Sequence, residues 1–102
     1  MIGASGNGAS GYQVVESPAI LREVRRLAAG LTDQADRRRY VAALRAIRQR
    51  LRTDPRSFGE YLHALQWLRL DMYLGSIAPL VVRYGVHQER KLVFVVNYHL
   101  LS

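Results

Sequence analysis

The spacing of apolar residues changes at Pro55, and this sets a helical stretch before it and strands after it. Before the change, Ile20, Val24, Leu27 and Leu31 recur at intervals of four, three and four, with Arg22, Glu23, Arg25 and Arg26 on the other side. That is the period of an amphipathic helix. Ser17-Pro18 supplies a cap and a proline at the first helical position, and the stripe ends near Gly30. Thr32 or Asp33 can cap a second helix, whose apolar face is Tyr40, Val41, Leu44, Ile47 and Leu51 and which stops at Asp54-Pro55. The short connection predicts two antiparallel helices, over about 18–30 and 33–52.

Beyond Pro55 the period is two. Leu68, Leu70, Met72 and Leu74 alternate with Arg69, Asp71 and Tyr73, and Gly75-Ser76 is expected to close this strand. Residues 79–86 and 92–98 are rich in β-branched and aromatic side chains, and His87-Gln88-Glu89-Arg90-Lys91 reads as the hairpin between them. Runs this apolar on both faces point to central strands. Tyr12-Gln13-Val14-Val15-Glu16 reads as a further short strand before the helices, and residues 58–66 fit either a turn of helix or a loop. The expected class is α+β, in the order β-α-α-β-β-β, with two N-terminal antiparallel helices packed on one face of an antiparallel sheet. By the same parity Tyr84 and Tyr98 are expected in the core with Val82, Val86, Phe94 and Val96.

A chain of 102 residues, 49% hydrophobic, has material for one core, expected over residues 12–102. Residues 1–11 are small, glycine- and serine-rich and without periodicity, and read as a flexible leader. Four glycines there do not make a phosphate loop, since no strand precedes them and no Gly-Lys-Ser/Thr follows. The absence of cysteine removes disulfides, thiolate zinc sites and thiol nucleophiles. No apolar run has the length of a membrane span or a secretion signal, so a cytoplasmic protein is expected, with no membrane partner.

Fifteen basic residues against eight acidic give a formal charge of +7, and all the bases except Lys91 are arginine. Arginine's planar fork suits phosphate and carboxylate, which points to a polyanion or an acidic protein as partner. On the second helix Arg38, Arg45, Arg48 and Arg52 fall nearest one side, a candidate nucleic-acid surface. His63 and His87 read as exposed loop residues. Three histidines at 63, 87 and 99 without carboxylates at ligand spacing predict no metal site, and no cofactor motif is present.

The order of elements, with Tyr12-Gln13-Val14-Val15-Glu16-Ser17-Pro18 opening into a capped helix, the Leu51-Arg52-Thr53-Asp54-Pro55 exit and the Val82-Arg83-Tyr84-Gly85-Val86 strand, resembles the RelE/ParE superfamily of bacterial toxins over about residues 12–99. The resemblance implies a small basic toxin neutralised by a cognate antitoxin. It implies one of two activities: metal-independent cleavage of messenger RNA on the ribosome in the RelE branch, or non-catalytic binding to gyrase or another macromolecule in the ParE branch or a degenerate member. The RelE pattern carries an arginine three residues before the strand tyrosine; here Tyr84 is present and Val81 occupies that position. Arg83, adjacent to Tyr84, points to the opposite face and serves only if that face is the open one. Arg69 is expected to project from its strand opposite Leu68, Leu70 and Met72. His99, at the end of the last strand, has the side chain best suited to proton transfer near neutrality. The candidate catalytic set is therefore Arg69, Arg83 and His99. Trp67 either stacks on a base or covers the edge of the core.

Overall fold

The structure, a computed structural model, describes residues 11–101; the proposed leader falls almost wholly outside them. The elements are β1 (Gln13–Val15), α1 (Pro18–Ala29), α2 (Gln34–Thr53), a single turn α3 (Pro55–Phe58), β2 (Glu60–Leu65), a 3-10 turn (Gln66–Leu68), β3 (Leu70–Ile77), β4 (Leu80–His87) and β5 (Leu92–Leu100).

The helices begin and end where their capping chemistry dictates. The Ser17 hydroxyl accepts from the Ile20 N–H at 3.2 Å, and Gly30 terminates α1. Asp33 accepts from the Ala35 N–H at 2.7 Å and so starts α2. At the far end Pro55 cannot continue α2 because it lacks an N–H. It stands instead at the start of α3, an element the periodicity did not reveal.

The sheet order is β1-β5-β4-β3-β2. Strands β2 to β5 form an antiparallel meander, whereas β1 pairs parallel with β5 through Gln13↔Leu92, Val14↔Val93 and Val15↔Phe94. The undecided residues 58–66 thus supply an extra edge strand. Its first four residues are exposed and a bulge falls between Tyr61 and His63, so it shows neither burial contrast nor alternation. Strand β3 also runs through Gly75-Ser76 to Ile77 instead of stopping there. Gly75 is needed inside the strand: a Cβ there would lie 2.5 Å from Cε2 of Phe58, whose ring covers it.

Both long helices lie on one face of the sheet. Tyr40, Leu44, Ile47 and Leu51 of α2 meet Tyr73, Leu80, Val82, Tyr84, Val86, Val93, Val95 and Tyr98 in one buried cluster. Val41 does not join them; it is 48% exposed on the solvent side of α2, and Ala43 is buried in its stead. Nor do Phe94 and Val96. The register slips between Arg83 and Tyr84 against β5, so one extra residue on β5 shifts its parity. Val93 and Val95 face the helices, Val96 is exposed, and Tyr98 returns to the core. There the Tyr98 hydroxyl donates to Glu16 at 2.7 Å, and Arg48 grips the same carboxylate at 2.6 and 3.0 Å, tying β5 and α2 to the link between β1 and α1.

Candidate nucleic-acid interface on the open sheet face

With Tyr84 in the core, the other side of β4 is the open face, and Arg83 stands on it. Cross-strand partners share a face, so the register reads out what surrounds this arginine. Glu60, Leu74, Arg83 and Asn97 form one row across β2, β3, β4 and β5. The next row is Ser76, Val81 and His99. Arg83 and His99 are thus diagonal neighbours on adjacent strands, roughly 7–8 Å apart along the backbone and somewhat closer at Cβ. Glu60 lies two strands from Arg83 on its other side, roughly 10 Å away at about 4.8 Å per strand.

Glu60, Arg83, Asn97 and His99 are all exposed, and none makes a side-chain hydrogen bond or ion pair with another described residue. A cation flanked by a carboxylate and an imidazole, all with free polar atoms, can hold a phosphate and exchange protons with groups on either side of it. Val81, in the position where the resemblance called for arginine, also lies on this face, paired with Ser76 and His99 but 6% exposed.

Arg69 belongs elsewhere, which corrects its assignment to the strand. It follows the 3-10 turn in the left-handed conformation, φ 56°, so strand parity does not apply to it. Its guanidinium pairs with Glu89 of the β4–β5 hairpin. Leu70 is in register with His87 and Leu74 with Arg83, so Arg69 sits beyond the fourth residue along β3 from the Arg83 row, more than about 13 Å away. Asp71 is taken by Arg56 at 2.8 Å and by the Gln88 amide at 3.0 Å, and the Arg56 hydrogen bond holds its carboxyl below the usual aspartate range.

The second-helix arginines do gather on one side. Arg38 and Arg45 line an open groove of about 770 Å³ with Thr32, Gln34, Arg37, Val41 and Ala42. Arg45, Arg48 and Arg52 border a smaller one of about 190 Å³ floored by Val41 and Leu44. Arg48 is committed to Glu16, and both grooves lie on α2 away from the open sheet face. His63 and His87 are strand residues, not loop residues. His63 is exposed on β2, and His87 ends β4 with Nδ1 accepting from the Glu89 and Arg90 N–H groups at 3.0 and 3.1 Å. Among the described residues no group of three or more His, Asp or Glu is placed to hold a metal, and no helix is long and apolar enough to cross a membrane.

No family model matches this chain, and no curated protein does. Among solved structures, the archaeal RelE-RelB complex from Pyrococcus horikoshii OT3 superposes with a TM-score of 0.60 over 87% of this chain and 93% of the other, at 19% sequence identity. The chain has the RelE fold. Identity this low carries the architecture and not the residue roles. On this RelE-like scaffold Glu60 is the residue that sequence reasoning missed, because it lies in the stretch whose alternation the Tyr61/His63 bulge interrupts. An acidic residue just after Gly59, five positions beyond the Asp54-Pro55 helix stop, was the available signal.

Proposed function

We propose that this chain is the toxin of a toxin-antitoxin pair and that it cleaves messenger RNA, on the ribosome, at the open sheet face. The single observation that supports this is the row that sets Arg83, unpaired among the described residues, between Glu60 and the diagonal His99 on a sheet face that no described helix covers, in a chain of RelE fold. Cleavage through the 2′-hydroxyl needs a base, an acid and positive charge beside the phosphorus, and no redox step. Glu60 takes the 2′-hydroxyl proton. The 2′-oxygen attacks phosphorus, Arg83 neutralises the charge gained by the phosphoryl oxygens, and the bond to the 5′-oxygen breaks as the His99 imidazolium protonates it. The products are a 2′,3′-cyclic phosphate and a 5′-hydroxyl.

The antitoxin is assigned to the α2 groove. Val41 and Ala42 in its floor and Arg38 and Arg45 on its walls suit an acidic amphipathic helix better than RNA, which has no use for an exposed valine.

Induced expression followed by mapping of messenger RNA 5′ ends tests the activity. New 5′-hydroxyl ends are expected with the parent. Arg83→Ala is expected to slow cleavage by about 10²–10³, the usual loss on removing one electrostatic stabiliser. Growth arrest without new ends, accompanied by gyrase inhibition, would replace this reading with the non-catalytic one.

A further inference from the structure

Trp67 is the one tryptophan in the chain, and it is 82% exposed. It does not cover the core edge. The turn that carries it is clamped from two sides. The Arg69 N–H donates to the Gln66 carbonyl at 3.1 Å, closing the turn, and the Gln88 N–H donates to the Arg69 carbonyl at 2.9 Å. The Arg69–Glu89 ion pair adds a side-chain tie to the β4–β5 hairpin. The indole is therefore presented to water from backbone that two hairpins hold in place. It forgoes the large apolar burial that an indole offers, with no gain to the core.

The sheet between Arg83 and this turn is apolar on its open face. Beyond the Arg83 row come Met72, Gly85 and Phe94 in one row, flanked by His63, and then Leu65 and Leu70 with His87. A Cβ on Gly85 would lie 2.9 Å from Met72 Sδ and 3.3 Å from Leu70 Cδ1, so these two side chains lie across the glycine and floor the strip. The open face thus runs from a cation, over an apolar strip, toward the turn that carries the exposed indole. Exposed Arg90, which pairs with no described carboxylate, stands at the indole end beside the Arg69–Glu89 ion pair. That sequence of chemistries is what a single strand of RNA presents in register: phosphate, flat bases, and a base to stack. Cations at both ends, on a chain of charge +7, favour a polyanion over a protein segment.

We propose that Trp67 is a base-stacking platform for single-stranded RNA lying along the open sheet face, holding a nucleotide a short way along the strand from the phosphate at Arg83. The proposal rests on the RNA-binding part of the reading above and not on its proton transfers.

The test is titration of the protein with an oligoribonucleotide of about six nucleotides, within the site sizes of single-strand binders, carrying 2′-O-methyl groups throughout so that it cannot be cleaved. Because Trp67 is the sole tryptophan, its fluorescence should be quenched as the oligonucleotide binds. Anisotropy of labelled oligonucleotide should show Trp67→Ala weakening binding by about 5- to 150-fold, the loss of one stacked base, while Trp67→Phe keeps most of the affinity. An oligonucleotide made abasic throughout should bind the parent at least as weakly as the intact one binds Trp67→Ala, and should leave the Trp67 fluorescence unquenched. Thermal melting checks that both variants fold. Unchanged fluorescence at saturating RNA, or parental affinity in Trp67→Ala, would overturn the proposal. A protein that is quenched but never cleaves loses the nuclease reading and keeps this one. A protein that cleaves normally as Trp67→Ala, with unchanged KM, loses only this one.

Discussion

Buried hydroxyls set how single residues respond to pH. The Tyr84 hydroxyl donates to the Pro55 carbonyl at 2.6 Å and Tyr98 donates to Glu16, and burial is the main cause that pushes both phenols well above their ordinary value. A group whose pKa is raised by folding contributes stability that is complete below the unfolded value and is lost as pH climbs past it. The denaturation midpoint is therefore expected to fall above about pH 10, where unfolded tyrosines ionise, and Tyr98→Phe should flatten that fall. At the acid end the sign reverses: the contribution of Asp71, whose pKa is lowered chiefly by Arg56, is present above about pH 4 and fades below it. Packing separates two neighbours on α2 just as sharply. Ile47 is fully buried and Val41 is 48% exposed, so Ile47→Ala should cost about 2–5 kcal/mol and Val41→Ala less than about 0.5 in denaturant titrations. Sequence periodicity placed both on the apolar face. It errs at Val41 because a stripe three residues wide cannot say which flank meets the sheet and which meets solvent.

Elements were legible where local chemistry is decisive. Ser17-Pro18, Gly30 and Asp33 mark the helices α1 and α2, and alternation marks most of β3, β4 and β5, because those signals act over a few residues. What stayed hidden depends on distant partners. Strand β2 is an exposed edge with a bulge, so its only signature is the register with β3. The extra residue in β5 is defined only against β4, and without it Phe94 and Val96 were assigned to the core. The same limits governed the site. Arg83 and His99 are both named as candidates by the sequence, and their sharing of a face follows only from Tyr84 pointing inward. Glu60 is hidden with its strand, and Arg69 reads as part of β3 because alternation does not reveal the left-handed residue that precedes the strand. At Gly75 the α3–β3 contact can be tested directly. Gly75→Ala places a methyl against the Phe58 ring, which stacks on Tyr84 at 6.1 Å between centroids, and should cost roughly 1–3 kcal/mol. In a Phe58→Ala background most of that cost should disappear, as a double-mutant cycle by thermal denaturation would read.

The whole molecule separates two kinds of surface. The sheet presents Arg83, His99 and Glu60 on one side, and α2 presents a groove of valine, alanine and arginine on the other. If the sheet binds RNA through its phosphates, affinity should fall log-linearly with salt, and Arg83→Ala should lower the slope by about one contact. Val81→Arg adds a cation beside His99 on the same face and is expected to raise cleavage in the 5′-end assay. A fall would mean that burying the larger side chain at this 6%-exposed position disturbs the strand more than the charge helps.

The parallel pairing of β1 with β5 also orders events in time. Val14 bonds beside Val93, and at about 5–20 residues per second the ribosome makes the second several seconds after the first. Until then β1 has no partner strand, α1 lacks the strand it leans on, the Glu16 carboxylate has no Tyr98, and the face that needs His99 is unfinished. Contacts this distant in sequence close late, since loop entropy must be met before they stabilise anything. A nascent chain is thus without its assembled open face until β5 has been made.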